Sequence, residues 1–171
     1  MKHKGLILMA IIAVCAAALF LMPETKSYKE IASVGKPAPD FEYEDSTGKL
    51  WKLSDLKGKV VFINFWATWC VTCKSEMPHK EVLYEMMKDE PFQMLGMLFR
   101  DDPANLADYY KTQKVSPPTL ISPDNESAKI YGITGVPETF IIDKDGIVRE
   151  KIVGPRAWDD EDTVAIIKKW L

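Results

Sequence analysis

The 171-residue sequence predicts an α/β domain in which a mixed β-sheet carries helices on both faces, and three observations support this. Apolar runs rich in β-branched and aromatic residues recur at 60–66, 92–99 and 139–143, as expected of strands buried on both faces. Segments with helical apolar spacing separate the first of these runs, and Asp145-Gly146 places a hairpin turn behind the last. Alternation of strand and helix early in the chain, with a hairpin late, gives a sheet of mixed direction.

Taken in order, 41–45, the Ser46-Thr47-Gly48 turn and 50–53 form a hairpin, and Ser54-Asp55-Leu56-Lys57-Gly58 a single capped helical turn. The strand 60–66 follows and runs into a helix that starts at Cys70. After the strand 92–99, Asp102-Pro103 opens a helix reaching about residue 114, with proline in the early position it tolerates. Pro117 and Pro118 mark a loop. A short strand at 119–122, a short helix at 126–131, the strand 139–143 and its hairpin partner 147–153 come next, and an amphipathic helix at 160–171 closes the chain.

The N-terminus has a different character. After Lys2, His3 and Lys4, residues 5–22 carry no charge and would extend about 27 Å as a helix, close to the roughly 30 Å apolar thickness of a bilayer. Residues 1–22 are therefore expected to form a signal-anchor helix. The flanking positive charges hold the N-terminus in the cytoplasm and place the rest of the chain on the extracytoplasmic, periplasmic side. A cleaved signal peptide is the rival, since Ala16, Ala17 and Ala18 offer small residues to a protease, but cleavage there leaves Leu19-Phe20-Leu21-Met22 exposed. Residues 23–34 are polar and read as a tether, and 35–171 as one domain of ordinary size. With 22 basic residues against 25 acidic and a net charge of −3, two of the lysines belonging to the anchor, nucleic acid is not an expected partner.

Of the three cysteines, Cys15 lies in the anchor, whereas Cys70 and Cys73 stand where the buried strand becomes a helix. At a helix N-terminus, unpaired N–H groups and the positive end of the dipole favour a thiolate, the reactive form of cysteine. A two-residue spacing also suits half of a zinc site, but zinc takes four ligands, and the nearby His79 lies on the far side of the helix from Cys70. An inert disulfide closing so small a loop would constrain little of the unfolded chain. Reversible dithiol chemistry is the expectation.

The stretch Phe65-Trp66-Ala67-Thr68-Trp69-Cys70-Val71-Thr72-Cys73-Lys74, Pro78 five residues after the second cysteine, and Gly135-Val136-Pro137-Glu138-Thr139-Phe140 followed by Asp145-Gly146 resemble the thioredoxin superfamily. Within it they are most similar to the membrane-tethered reductases of cytochrome c maturation, the TlpA and ResA type. The resemblance implies a thioredoxin-like fold with an N-terminal hairpin and an inserted helix and strand around 102–120. It further implies a protein disulfide reductase whose only redox group is the Cys70–Cys73 disulfide, with no other cofactor and no metal. Cys70 would attack a partner's disulfide and Cys73 resolve the mixed disulfide, and the uncharged Val71 and Thr72 leave the thiolate less stabilised than in strong oxidants. Pro137 is expected after a cis peptide bond, with the backbone of Val136 pairing with substrate like an added strand and Trp69 facing that substrate.

Glu76 lies three residues after Cys73, one turn along the same side of the helix, where a carboxylate can take the proton of the resolving thiol and raises a cysteine pKa. Glu138 resembles the acidic residue beside the active site in the maturation branch. An exposed helix glutamate and a surface turn glutamate are the plain alternatives for these two positions. Asn64 stands where many thioredoxins hold a buried aspartate, so Glu76 or Glu138 must supply the proton acceptor. The implied partners are proteins carrying disulfides, apocytochrome c with its Cys-x-x-Cys-His thiols first among them, and a membrane protein that supplies electrons. A general periplasmic disulfide reductase or isomerase, a thiol peroxidase and a thiol-based copper-binding module are the alternatives.

Overall fold

In the computed structural model, Ile12, residues 31–113 and residues 115–171 are described. The expected anchor over 1–22 and most of the tether lie outside the described residues, Ile12 apart, and among the described residues no helix is long and apolar enough to cross a membrane.

Seven strands form one mixed sheet: β1 (Glu42–Asp45), β2 (Leu50–Lys52), β3 (Val60–Trp66), β4 (Phe92–Leu98), β5 (Thr119–Ile121), β6 (Glu138–Ile142) and β7 (Val148–Val153), in spatial order β2-β1-β5-β4-β3-β6-β7. β3, β4 and β5 run parallel, and β1, β2, β6 and β7 join them through antiparallel pairings. Among the described residues the α-helices are α1 (Val71–Ser75), α2 (Met77–Met86), α3 (Pro103–Thr112), α4 (Glu126–Tyr131) and α5 (Glu161–Lys168). This is the thioredoxin-like α/β fold, with α3 and β5 lying in the segment where the resemblance implies an inserted helix and strand.

All seven residues of β3 are buried, which explains their unbroken apolar character. Because side chains alternate across a strand, Val61, Ile63 and Phe65 enter one core with Tyr131 of α4, Phe140 and Val148. Val60 and Phe62 enter the other with Leu83 of α2 and Ile167 of α5. There the Phe62 ring meets Trp158 edge-on at 4.7 Å between centroids, a geometry worth about 0.5–1.5 kcal/mol beyond the area it buries. The same alternation sends Asn64 toward α2, between Phe62 and Trp66.

One local expectation changes and one is met. The turn after β2 is a 3-10 helix at Leu53–Leu56 without a cap from its own flank; Asp40 reaches in instead and accepts from the Ser54 N–H at 3.0 Å. The cysteine helix is divided at Glu76 into α1 and α2, with Pro78 in the first turn of the second piece, since proline has no N–H to continue the ladder.

Candidate active site

Cys70 caps α1: its backbone is extended, and its sulfur accepts from the Cys73 N–H at 3.1 Å. The two sulfurs are bonded as a disulfide, with Cα atoms 5.2 Å apart. Cys70 is 5% exposed and Cys73 fully buried, so the sulfur at the helix start is the one within reach of a partner. Thr72 Oγ1 lies 3.5 Å from Cys70 Sγ. Across from the pair, the Val136–Pro137 bond is cis, as expected, and Val136 O stands 3.7 Å from Cys70 Sγ. Trp69 and Val71 are 55% and 79% exposed beside the disulfide.

The loop leading into Cys70 is held by a residue that the sequence reading did not single out. Asp101, just past β4, accepts from the Thr68 N–H at 2.6 Å and from its hydroxyl at 2.7 Å, and also from Asp102 N and Asn105 Nδ2. Burial pushes the Asp101 carboxyl up, but these donors outweigh it and hold the group below the usual carboxylate range. Trp69 Nε1 donates to Arg100 O at 3.1 Å, so consecutive residues after β4 fix consecutive residues before the cysteine. A carboxylate at the C-terminal end of a predicted strand was the available signal.

Neither glutamate is a surface residue. Glu76 is 2% exposed, which overturns the exposed-helix alternative. Its Oε1 accepts from Asn64 Nδ2 at 3.3 Å and pairs with Lys80 Nζ at 3.1 Å; its Oε2 accepts from Arg156 N at 3.3 Å and Trp158 Nε1 at 3.2 Å. Every contact is a donor, the arrangement a carboxylate requires. Lys80 also donates to Asn64 Oδ1 at 2.7 Å, and Asn64 donates to Thr139 Oγ1 at 2.8 Å. Burial pulls the Lys80 ammonium below the usual lysine range, with Glu76 opposing the shift. The four-residue spacing of Glu76 and Lys80 is a recognisable ion-pair signal, but nothing local announces that Trp158 completes the cluster.

Glu138 opens β6 directly after Pro137 and is also buried, so the surface-turn alternative fails for it. Its Oε1 is 2.7 Å from Lys151 Nζ on β7, an ion pair without the alignment of a hydrogen bond. His79, on the outer side of α2, pairs through Nδ1 with Asp159 at 2.7 Å. The structure thus brings Cys70, Cys73, Val136 and Pro137 together, with Trp69 on the rim, Glu76 buried one turn beyond Cys73 and Glu138 next to Pro137.

A helix-capping dithiol opposite a cis-proline loop, on this sheet, defines a thioredoxin-fold thiol-disulfide oxidoreductase. The Redoxin family profile matches residues 33–168, and the chain belongs to that family. It is 37% identical over 128 residues to a thiol-disulfide oxidoreductase ResA of Bacillus cereus, covering 75% of this chain and 74% of that protein. Identity to ResA of Bacillus subtilis (strain 168) is 32% over 144 residues, 84% of this chain and 80% of the relative. The crystal structure of a thiol:disulfide interchange protein of the thioredoxin family from Chlorobium tepidum TLS superposes with a TM-score of 0.71 at 33% identity, covering 81% of this chain and 97% of that one.

Proposed function

We propose that this oxidoreductase is an extracytoplasmic disulfide reductase of cytochrome c maturation, held in the cytoplasmic membrane by residues 1–22, that reduces apocytochrome c thiols before haem attaches. The observation that carries the direction of transfer is the pair itself: Cys70 caps the helix beside Val136 and Pro137 with only Val71 and Thr72 between the sulfurs, and no ionised side chain is bonded to either sulfur among the described residues. A thiolate stabilised mainly by backbone N–H groups leaves the disulfide form favoured, and a dithiol of that kind donates electrons. Similarity to ResA proteins supports membership of the same functional group.

The reaction balances within the protein. Reduced Cys70, as thiolate, attacks one sulfur of the substrate disulfide; a mixed disulfide forms and the other substrate sulfur leaves as a thiolate that takes up a proton. Cys73 then loses its proton to Glu76 and attacks Cys70 Sγ, which forms the Cys70–Cys73 disulfide and releases the second substrate sulfur. Two electrons pass to the substrate, carried by the cysteine pair with no added cofactor, and a membrane donor protein returns them. Trp69, Val136 and Pro137 form the docking rim, the Val136 backbone pairing with an extended substrate segment, while Glu138 holds charge beside it.

The test is to express full-length Cys73→Ser in a bacterium that makes c-type cytochromes and identify the protein disulfide-bonded to Cys70. A Cys70-dependent adduct with apocytochrome c is expected. Adducts confined to other proteins, with haem attachment unimpaired when the gene is deleted, would overturn the reading.

A further inference from the structure

The cluster around Glu76 contains a charged group that the reaction above does not use. Lys80 is 3% exposed, and lysines are almost never fully buried unless paired. Its ammonium has three N–H donors. One meets Asn64 Oδ1 at 2.7 Å and another Glu76 Oε1 at 3.1 Å, while the nitrogen stands 5.8 Å from the centre of the Trp66 ring. The space left around it, walled by Trp66, Met77, Met94 and Gly96, is about 10 Å³, at the lower limit for one water. There is little room for solvent beside it, and Glu76 is the carboxylate that contacts the charge.

The other groups that face this pair do not take over that task. From β3 comes neutral Asn64, from β6 neutral Thr139, and from the segment before α5 the Arg156 N–H and the Trp158 indole. On α2 itself, Glu81 adds a weaker attraction to Lys80 and is engaged by the Ser116 N–H at 2.7 Å. His79 lines the open cleft outside Glu76 together with Ser75 and Arg156, and is paired with Asp159. Trp66 packs in the same cluster as Cys73, so the ammonium and the resolving sulfur border one small core.

We propose that Lys80 is a positioning residue for thiol exchange, acting through Glu76 to set the pH at which Cys73 resolves the mixed disulfide. This rests on the reading of Glu76 as the proton acceptor for Cys73. A bare carboxylate one turn from Cys73 opposes formation of a second negative charge there. With the Lys80 ammonium against it, the pair is neutral overall, and Cys73 ionises beside a dipole rather than an anion. Removing the ammonium leaves Glu76 either an unbalanced anion that holds the Cys73 proton or a protonated acid that cannot accept it. Both shift the resolving step to higher pH.

The experiment uses the reduced protein and 5,5′-dithiobis(2-nitrobenzoate). Attack by Cys70 releases one thionitrobenzoate, and attack by Cys73 on the resulting adduct releases the second, so the second phase reports Cys73 alone. In Lys80→Met its midpoint is expected to rise by about one pH unit, a roughly tenfold slower release below the midpoint, with Lys80→Arg restoring much of the profile. An unmoved second phase in folded Lys80→Met, in a protein whose Glu76→Gln profile does move, would overturn the role of Lys80 while leaving that of Glu76 intact; an unmoved Glu76→Gln profile would remove the reading beneath both. Should Lys80→Met fail to fold, Glu76→Gln/Lys80→Met removes both charges and avoids a lone buried ion. A second phase coincident with that of Glu76→Gln is expected if Lys80 acts through Glu76, and a further displacement would contradict it.

Discussion

Asp101 holds Thr68 twice, by its backbone N–H at 2.6 Å and by its hydroxyl at 2.7 Å, and so fixes the chain two residues before the reactive sulfur. The rest of the loop between β3 and α1 is held by buried Ala67, whose carbonyl accepts from the Cys70 N–H at 3.2 Å, and by the indole N–H of the largely exposed Trp69 on Arg100 O. Charge-assisted bonds to a partly exposed carboxylate are worth about 1–2 kcal/mol. Asp101→Ala is expected to lower stability by about that amount in urea unfolding and to slow the attack of Cys70 on a protein disulfide. A variant that loses the stability but keeps the full attack rate would show that the loop needs no such tether.

Three carboxylates make the fold sensitive to acid. Burial raises Asp45, Asp101 and Asp143, but hydrogen bonds outweigh it in each: Thr47, Trp51 and Lys49 at Asp45, Asn105, Thr68 and Asp102 at Asp101, and Ile147, Arg149 and Asp145 at Asp143. A carboxyl depressed in the folded state contributes stability above its unfolded pKa, about 3.9, and loses that contribution as pH falls through this value toward the folded one, because the unfolded chain then binds more protons. Urea midpoints should accordingly be level near neutrality and fall below about pH 4. Asp143→Asn, which also weakens the 2.6 Å pair with Arg149, should flatten that fall. An acid slope unchanged in this variant would remove Asp143 from the explanation.

Gly96 sits at the crossing of β3, β4 and β5, where a Cβ would come 2.5 Å from Thr119 Oγ1 and 2.8 Å from Trp66 Nε1, two atoms joined by a 3.2 Å hydrogen bond. The obstruction is steric, since nothing in the Gly96 backbone itself demands glycine. Gly96→Ala is expected to cost about 1–3 kcal/mol, the usual penalty of overpacking, with a change in Trp66 fluorescence. An alanine accepted without loss would mean that Trp66 can move aside, and with it the wall of the Lys80 site.

Much of this was readable in the residues, for reasons that differ from place to place. The seven-residue apolar run pointed to a strand covered on both faces, and the cysteine four residues beyond it to a helix start. The break in the helix at Pro78 and the cis bond before Pro137 both came from resemblance rather than from any local preference. What stayed hidden depends on side chains meeting across the fold. Glu76 and Lys80 look like an exposed i,i+4 pair until Asn64 from β3 and Trp158 from beyond β7 close over them. Ser54 looks like its own cap until Asp40 arrives from fourteen residues away. The order of β5 beside β1, which joins the hairpin to the parallel strands, has no signature in either strand alone.

The direction of electron flow is decided most directly by the reduction potential of Cys70–Cys73, obtained by equilibrating the protein with graded glutathione or dithiothreitol couples and measuring the oxidised fraction. A reductant should titrate toward the region of thioredoxin, about −270 mV. A value near −120 mV, that of the strongest disulfide-forming members of the fold, would contradict the proposal that this dithiol gives its electrons away.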